Sequence, residues 1–515
     1  MKWMLFQMIK LFAWPLTRSF EKGLKDPHAA QRRVRDEIAG ALIKTDYGRS
    51  LGLSRASDYR TLVPVVDYDA LSEWVEQQKV HEQQSIVSER VLLYEKTSGS
   101  TGPAKYIPYT KSLRKSFTRM FLLWARDVVT GIEGLGRGRL YFSVSPSFDL
   151  ESQTDTGVPV GLEDDADYLG GGLKFVMRPF LLMPAGLGQQ REPEEFKRAL
   201  AKALLEADDL ESVSVWNPSF LTVILAWMRN HRAELVDGVN PGLSPTRRAA
   251  LMSDPVDWEA VWPELKFISC WADANAKPMA QHLANLFPNV CIQGKGLLAT
   301  EAPITIPLLG VEGGVPLIDE VYLEFEDESG SLHELHEVSM GETYELIVSQ
   351  KGGLCRYKMG DRVRVVGKHH RTPTIEFVGR GNRFSDLVGE KLNEAFVRDV
   401  IDGLPLEDTR FRSLMPVREP DDHYVLLLDS CQARVGEVRD ALEQGLGRAY
   451  HYRHARALGQ LACVEVVVDQ GVEEKVAQYH MRSGKRWGDI KQSYLICTPA
   501  DDELTGQLKI GAKVA

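Results

Sequence analysis

Between Thr97 and Lys105 the chain reads Thr-Ser-Gly-Ser-Thr-Gly-Pro-Ala-Lys, directly after the apolar run Val91-Leu-Leu-Tyr94. Hydroxyls on Ser98, Ser100 and Thr101, with glycines at Gly99 and Gly102, make a loop rich in hydroxyl and exposed N–H donors. Lys105 adds a point charge, and a loop of this kind can wrap a polyphosphate. It is not a Walker A loop. Gly102 is followed by Pro-Ala before the lysine, and Tyr106 stands where Ser or Thr is required. The competing reading is a Ser/Gly-rich surface turn, and the spacing of loop and lysine argues against it.

These residues need a scaffold. At about 150 residues per domain, 515 residues suggest three domain-sized pieces, or one large domain with a smaller companion. Hydrophobic residues at 43% and charged residues at 26% match a globular average and exclude a disordered chain, a collagen-like fibre and a disulfide scaffold. The net charge of −10 argues against a nucleic-acid partner bound through a basic surface. Six scattered cysteines without a CxxC pair fit a reduced, cytoplasmic setting better than a zinc or disulfide framework. The apolar start, Met1 to Trp14, is shorter than the roughly 20 residues that span a bilayer, and Lys10 interrupts it. Trp14-Pro15 follows instead of a small-residue cleavage site. The expectation is a helix docked on the domain. The alternative is a weak membrane-surface contact through Lys2, Lys10 and Arg18.

Periodicity divides the chain. Up to about residue 90 it reads as helical, with Val34, Ile38 and Leu42 on one face after Asp26-Pro27. A helix is expected over Pro193 to Leu210, then a strand, a turn at Asn217-Pro218 and a buried helix. Leu265–Ser269 and Val290–Gln293 flank a helical stretch in a βαβ-like alternation. Period-two strands follow at 321–326, 344–348 and 362–366. The last section mixes helices with strands at 423–429 and 463–469. The polar, Gly-containing stretch from Gly379 to Asp386 marks the boundary. The expected fold is therefore α/β: a large N-terminal domain, 1–380, of β-sheets with packed helices and a small β-rich section, and a smaller mobile α+β domain, 381–515.

The loop at 97–105 resembles the phosphate-binding signature of the adenylate-forming superfamily, whose members activate carboxylic acids as acyl-AMP. Three further segments follow in that superfamily's order. Ala299-Thr-Glu301 resembles the step whose hydroxyl faces the α-phosphate and whose Glu helps to hold Mg²⁺. Leu354-Cys-Arg-Tyr-Lys-Met-Gly-Asp361 resembles the segment whose Asp binds the ribose hydroxyls, and Gly379-Arg380 resembles the Gly-Arg pair before the interdomain hinge. Within the superfamily the chain resembles the Gretchen Hagen family of acyl-acid amido synthetases over nearly its whole length. Lys44-Thr-Asp-Tyr-Gly48, Pro64-Val-Val-Asp-Tyr68, Tyr322-Leu-Glu-Phe325 and Gly341-Glu-Thr-Tyr-Glu-Leu346 are further traces. Asp489-Ile-Lys491 resembles the family's step that carries a small-domain lysine to the adenylating centre. Two features depart from the pattern: Leu297 stands where an aromatic residue is usual, so adenine stacking must differ, and no Pro-Arg follows Lys491.

The resemblance implies an ATP- and Mg²⁺-dependent ligase that adenylates a small carboxylic acid and passes it to an amine, an amino acid being the expected acceptor. Lys105, Thr300, Glu301 and Lys491 are the expected catalytic residues. Ser98, Gly99, Ser100, Thr101, Gly102, Gly296, Thr300, Tyr357, Asp361 and Arg380 are the expected nucleotide contacts, and Glu301 the Mg²⁺ ligand. The chemistry agrees. Carboxylate attack on the α-phosphorus meets an anionic centre that Lys and Mg²⁺ must neutralise. A Glu offers the hard oxygen that Mg²⁺ takes, and a carboxylate accepts two hydrogen bonds from a ribose diol. An acyl-CoA ligase is the alternative, and a silent nucleotide-binding scaffold is a third reading. A monomer is expected, and the acyl pocket is expected within 140–230, with Phe142, Phe148, Tyr168, Phe175 and Trp216.

Two other patterns are set aside. Gly294-Lys-Gly-Leu-Leu-Ala299 matches a dinucleotide fingerprint, but Pro303 and Pro307 would break the helix that it must open. In His333-Glu-Leu-His-Glu337 the second His comes one residue early for a zinc-protease helix, and the Gly330-Ser331 turn lies just before it.

Overall fold

The computed structural model describes residues 10–511 apart from 82–83, 98–104, 143–152, 155, 162–179, 183–186, 188–192, 240–241, 381–383, 386, 389, 391, 458–459, 484–489 and 491. The chain divides into a large unit, Met1–Asp273 with Met279–Val378, and a small unit, Ala274–Pro278 with Gly379–Ala515. Among the described residues, no helix is long and apolar enough to cross a membrane.

The large unit opens with helices Trp14–Leu24, Pro27–Leu42 and Tyr68–His81. The Asp26 side chain caps the second by accepting from Ala29 N at 3.2 Å, and Pro27 fills the first turn, where no N–H is needed. Ala30, Val34 and Ile38 bury one face of that helix. Gln31 lies buried among them. Its Nε2 donates to the Ile318 and Val321 carbonyls at 2.9 and 2.7 Å, and its Oε1 accepts from Leu323 N at 2.9 Å. One amide thus stitches the helix to the sheet beside it. The helix Trp14–Leu24 docks through buried Phe20 and Leu24, and the Leu24 carbonyl accepts from Thr372 Oγ1 at 2.9 Å. Leu11, Phe12 and Trp14 stay exposed.

β1 (Val91–Thr97) and β2 (Lys105–Thr110) form an antiparallel hairpin. β3 (Arg139–Phe142), β4 (Leu210–Ser214), β5 (Phe267–Cys270) and β6 (Cys291–Gly294) then build a parallel sheet in chain order. Every residue of β4 and β5 is buried, as parallel strands covered by crossover helices require. The expected helix over 193–210 ends at Glu206 instead, because a turn at Ala207–Leu210 hands the chain to β4.

β7 (Thr305–Pro307), β8 (Gly314–Pro316), β9 (Tyr322–Glu326), β10 (Leu332–Glu334), β11 (Thr343–Ser349), β12 (Tyr357–His369) and β13 (Thr372–Arg380) form a seven-stranded sheet. Their order is β10-β9-β11-β12-β13-β8-β7. A buried ion pair braces it. Arg356, at φ +49°, sets Nε and Nη2 at 2.8 and 3.0 Å from the two oxygens of Glu324 and donates from Nη1 to the Arg60 and Val63 carbonyls.

The small unit carries the ribbon β14 (Phe384–Ser385) and β15 (Leu392–Asn393) and a sheet of β16 (Arg412–Val417), β17 (His423–Leu428) and β18 (Glu465–Val468). β17 pairs antiparallel with β16 and parallel with β18. All six residues of β17 are buried, and alternate ones enter two apolar clusters: Tyr424, Leu426 and Leu428 one, Val425 and Leu427 the other. The whole is a mixed α/β chain with a large N-terminal and a smaller C-terminal part.

Candidate active site

The hairpin sets the first component. Thr97 and Lys105 face each other in register, so the connection 98–104 is closed at its base by one cross-strand pair. Ser98, Gly99, Ser100, Thr101 and Gly102 lie in that connection, outside the described residues. The Lys105 ammonium lies 5.7 Å from the centre of the Tyr68 ring, and the Tyr68 hydroxyl accepts from Tyr106 N at 2.8 Å. Burial holds the Tyr68 phenol above its ordinary pKa, so it stays neutral beside the cation. Lys79 and Lys96 lie 3.7 and 5.7 Å from the centre of the Tyr106 ring. Lys79 is also ion-paired with Glu76 at 2.9 Å, whereas Lys105, opposite Thr97, sets a cation at the base of the connection, where a polyanion would be attracted.

The second component is a tight turn after β6. Ala299 N donates to Ala302 O at 3.1 Å and Ala302 N to Ala299 O at 3.2 Å, leaving Thr300 and Glu301 at the tip. Glu301 is 8% exposed. The Tyr109 hydroxyl, on β2, donates to the Thr300 carbonyl at 2.7 Å. The same strand that begins with Lys105 thus holds the Thr300-Glu301 turn. Gly296 is at φ +67°, and a Cβ there would stand 2.7 Å from Thr305 Oγ1, which accepts from Leu297 N. Only glycine fits both conditions. Gly294-Lys-Gly opens this turn and no helix, so the dinucleotide pattern has no structural counterpart.

Asp361 comes from a bulge. Glu345 of β11 pairs with Arg362 and Ile347 with Lys358, so Met359, Gly360 and Asp361 stand opposite Leu346 alone. Gly360, at φ +78°, supplies the backbone conformation, and such an irregularity re-aims a side chain. Asp361 is 2% exposed. Upstream, Val66 bridges to Tyr357, joining the segment that leads into Tyr68 to the start of β12. Tyr357 itself is buried in the core beside Tyr59 and Tyr322. Leu298 and Met359 each pack on the same two apolar clusters of the large unit, so the turn and the bulge lean on common ground. Arg380 ends β13, its side chain outside the described set, as is Lys491.

The third component was read only in part from the sequence: Trp216 was expected at the acyl pocket, Lys295 was not. Past the carboxyl ends of β4, β5 and β6 stand Trp216, Trp271 and Lys295. Open parallel sheets bind ligands at that edge. Lys295 donates to Ser214 Oγ at 2.7 Å and sits 4.8 Å from the centre of the Trp216 ring. The indoles of Trp216 and Trp271 lie 6.0 Å apart, tilted by 43°. Burial pushes the Cys270 thiol up to about 12 despite the nearby Lys295 charge, so the cysteine is a neutral packing group. Of the aromatic residues expected around the acyl pocket, Phe142 and Trp216 are half-buried here; Phe148, Tyr168 and Phe175 lie outside the described residues. Lys295 was hidden inside the rejected Gly-rich pattern. Its place just past the short strand-like run Val290–Gln293 was the available signal.

Comparison with known proteins bears on the whole chain. The GH3 family N-terminal domain matches residues 16–292, the GH3 family central domain 314–380 and the GH3 family C-terminal domain 392–500. The chain belongs to the GH3 family. It is 23% identical to the indole-3-acetic acid-amido synthetase GH3.3 of Arabidopsis thaliana, over 91% of this chain and 89% of that protein. It is 22% identical to the 4-substituted benzoates-glutamate ligase GH3.12 of the same plant, over 92% and 95%. The solved AtGH3.15 acyl acid amido synthetase in complex with 2,4-DB superposes with a TM-score of 0.78 at 17% identity, covering 97% of this chain and 96% of that one. This GH3 chain therefore shares that structure's fold.

Proposed function

We propose that this GH3 chain is an ATP-dependent acid–amino acid ligase. A carboxylate oxygen attacks the α-phosphorus of ATP, the bond to the β,γ-diphosphate breaks, and acyl-AMP forms with release of pyrophosphate. The amine nitrogen of an amino acid then attacks the acyl carbon, the amide bond forms, and AMP leaves with the acyl oxygen. The observation that carries the reading is the Tyr109–Thr300 bond, which ties the lysine-bearing hairpin to the Thr300-Glu301 turn within a GH3 chain. Relatives that conjugate indole-3-acetic acid, or 4-substituted benzoates with glutamate, support the substrate classes.

In this reading Ser98 to Gly102 and Lys105 cradle the phosphates, Thr300 meets the α-phosphate, and Asp361 and Arg380 hold the ribose. Lys491 is assigned to the adenylation half-reaction. Glu301 fits Mg²⁺ as a buried carboxylate that joins no group of three clustered ligand residues among the described ones, since Mg²⁺ uses few protein oxygens and keeps its waters. When bound, Mg²⁺ neutralises triphosphate charge. A monomeric enzyme is proposed, in a cytoplasmic setting that six scattered cysteines without a CxxC pair support.

A panel of carboxylic acids against amines tests this, following AMP release and identifying products by mass. Amides of amino acids are the expected products. Thioesters formed with coenzyme A in their place would make the chain an acyl-CoA ligase. Absence of both ATP binding and acid-dependent pyrophosphate exchange would remove adenylation altogether.

A further inference from the structure

The His333-Glu-Leu-His-Glu337 segment forms no zinc-protease helix: its first two residues belong to β10, the edge strand of the seven-stranded sheet. His333 is engaged elsewhere, with Nε2 2.7 Å from Asp327 Oδ2. Glu334 and His336, however, meet a residue from the far end of the sequence. His28 is the second residue of the helix Pro27–Leu42, and Gln31, one turn further on, pins that helix to the backbone of β9 and the segment before it. β10 pairs with β9, Glu334 opposite Glu324. The helix start is therefore held over the end of β10. The rings of His28 and His336 stand with centroids 4.5 Å apart. One ligand atom from each of His28, Glu334 and His336 lies within 4.8 Å of the other two.

We propose that His28, Glu334 and His336 form a binding site for a divalent transition-metal ion, zinc being the first candidate. Two imidazoles and one carboxylate are a zinc-type donor set that leaves a fourth position for water. The nitrogen donors favour zinc, nickel or copper over magnesium and calcium, which take oxygen ligands. The carboxylate is already oriented. Its Oε1 accepts from the Tyr322 hydroxyl at 2.9 Å and lies 3.4 Å from Arg60 Nη1, while Oε2 lies 3.6 Å from His336 Nδ1. Partners of this kind fix a ligand's direction and support affinity. Both histidines are exposed and Glu334 is partly exposed, so an ion can enter and the imidazoles can close the remaining distance by rotating. The ion would join the N-terminal helical layer to the sheet edge. It would therefore stabilise the folded chain by binding it alone.

The test is zinc titration of the full-length, tag-free, metal-stripped chain by calorimetry, repeated with nickel, alongside thermal unfolding with and without zinc. One equivalent should bind and raise the unfolding temperature. His28→Ala and His336→Ala should each weaken binding by at least about tenfold, and Tyr322→Phe by about ten- to a hundredfold. His333→Ala should leave it unchanged. Both liganding histidines are exposed, so their removal leaves the core packing in place. Unaltered zinc binding in the His28→Ala/His336→Ala double variant would assign the metal to other groups, such as the six free cysteines, and overturn the site. So would a wild-type chain that binds no zinc.

Discussion

The Tyr109 hydroxyl donates to the Thr300 carbonyl at 2.7 Å, although 191 positions separate the two residues. Tyr109 is 1% exposed and its ring stacks on Phe117 at 5.6 Å. Tyr109→Phe keeps the stack and loses only the donor. The fold should lose about 1 kcal/mol, the net worth of one such bond. The turn is released at the point where an α-phosphate is proposed to sit, and misplacement near 1 Å costs up to about a hundredfold in rate. A fall of about tenfold or more in acid-dependent pyrophosphate exchange, with little change in unfolding temperature, is the expected result. Undiminished exchange would reduce Tyr109 to a packing residue.

Lys105→Ala and Glu301→Ala should each suppress adenylation by about a hundredfold or more, as removal of a single preorganised charge-stabilising group typically does. Lys491→Ala should hurt pyrophosphate exchange more than amide formation from preformed acyl-AMP. Half-reaction assays separate these outcomes. Equal losses in both halves would take Lys491 out of the adenylation step.

What the sequence made legible was short-range. A loop, a lysine and single acidic residues in a fixed order can be read from contiguous motifs. So can strands such as β9 and β17, where apolar periodicity and turn residues agree. The bulge at Asp361 was less visible: alternation is clear only from Arg362, because Gly360 interrupts a strand that actually begins at Tyr357. Tyr109–Thr300, Arg356–Glu324 and His28–His336 join distant segments, and no local pattern encodes them. The interleaved order β12-β13-β8-β7 is hidden for the same reason. Lys295 and its two tryptophans depend on which strands end side by side.

Arg356→Met should destabilise the large unit by about 3 kcal/mol, because it strands the Glu324 carboxylate in the core. Glu324 is 1% exposed, and Arg60 alone would remain to it, at 3.0 Å. Replacing both partners, Arg356→Met with Glu324→Leu, should recover part of the loss. Urea midpoints of the single and double variants decide this. A double variant as unstable as the sum of its parts would mean that the pair acts through its carbonyl contacts to Arg60 and Val63 instead.

In the small unit, His423 supplies a pH dependence with a definite sign. Burial alone would lower its pKa from the usual 6.5, but the contact with Glu465 and the bond to the Asp421 carbonyl outweigh it and leave the value raised. Nδ1 lies 2.7 Å from that carbonyl, and Nε2 lies 3.5 Å from Glu465 Oε2. The folded state therefore binds the proton more tightly than the unfolded chain. The stabilisation is fully present below the unfolded pKa, near 6.5, and is lost as pH rises through the higher folded value. Unfolding temperature should accordingly decline on the alkaline side of that window, and His423→Gln should flatten this part of the profile, since a neutral amide cannot titrate. A wild-type profile that rises through the same range would mean that His423 is neutral in the fold and that burial, not Glu465, sets its charge.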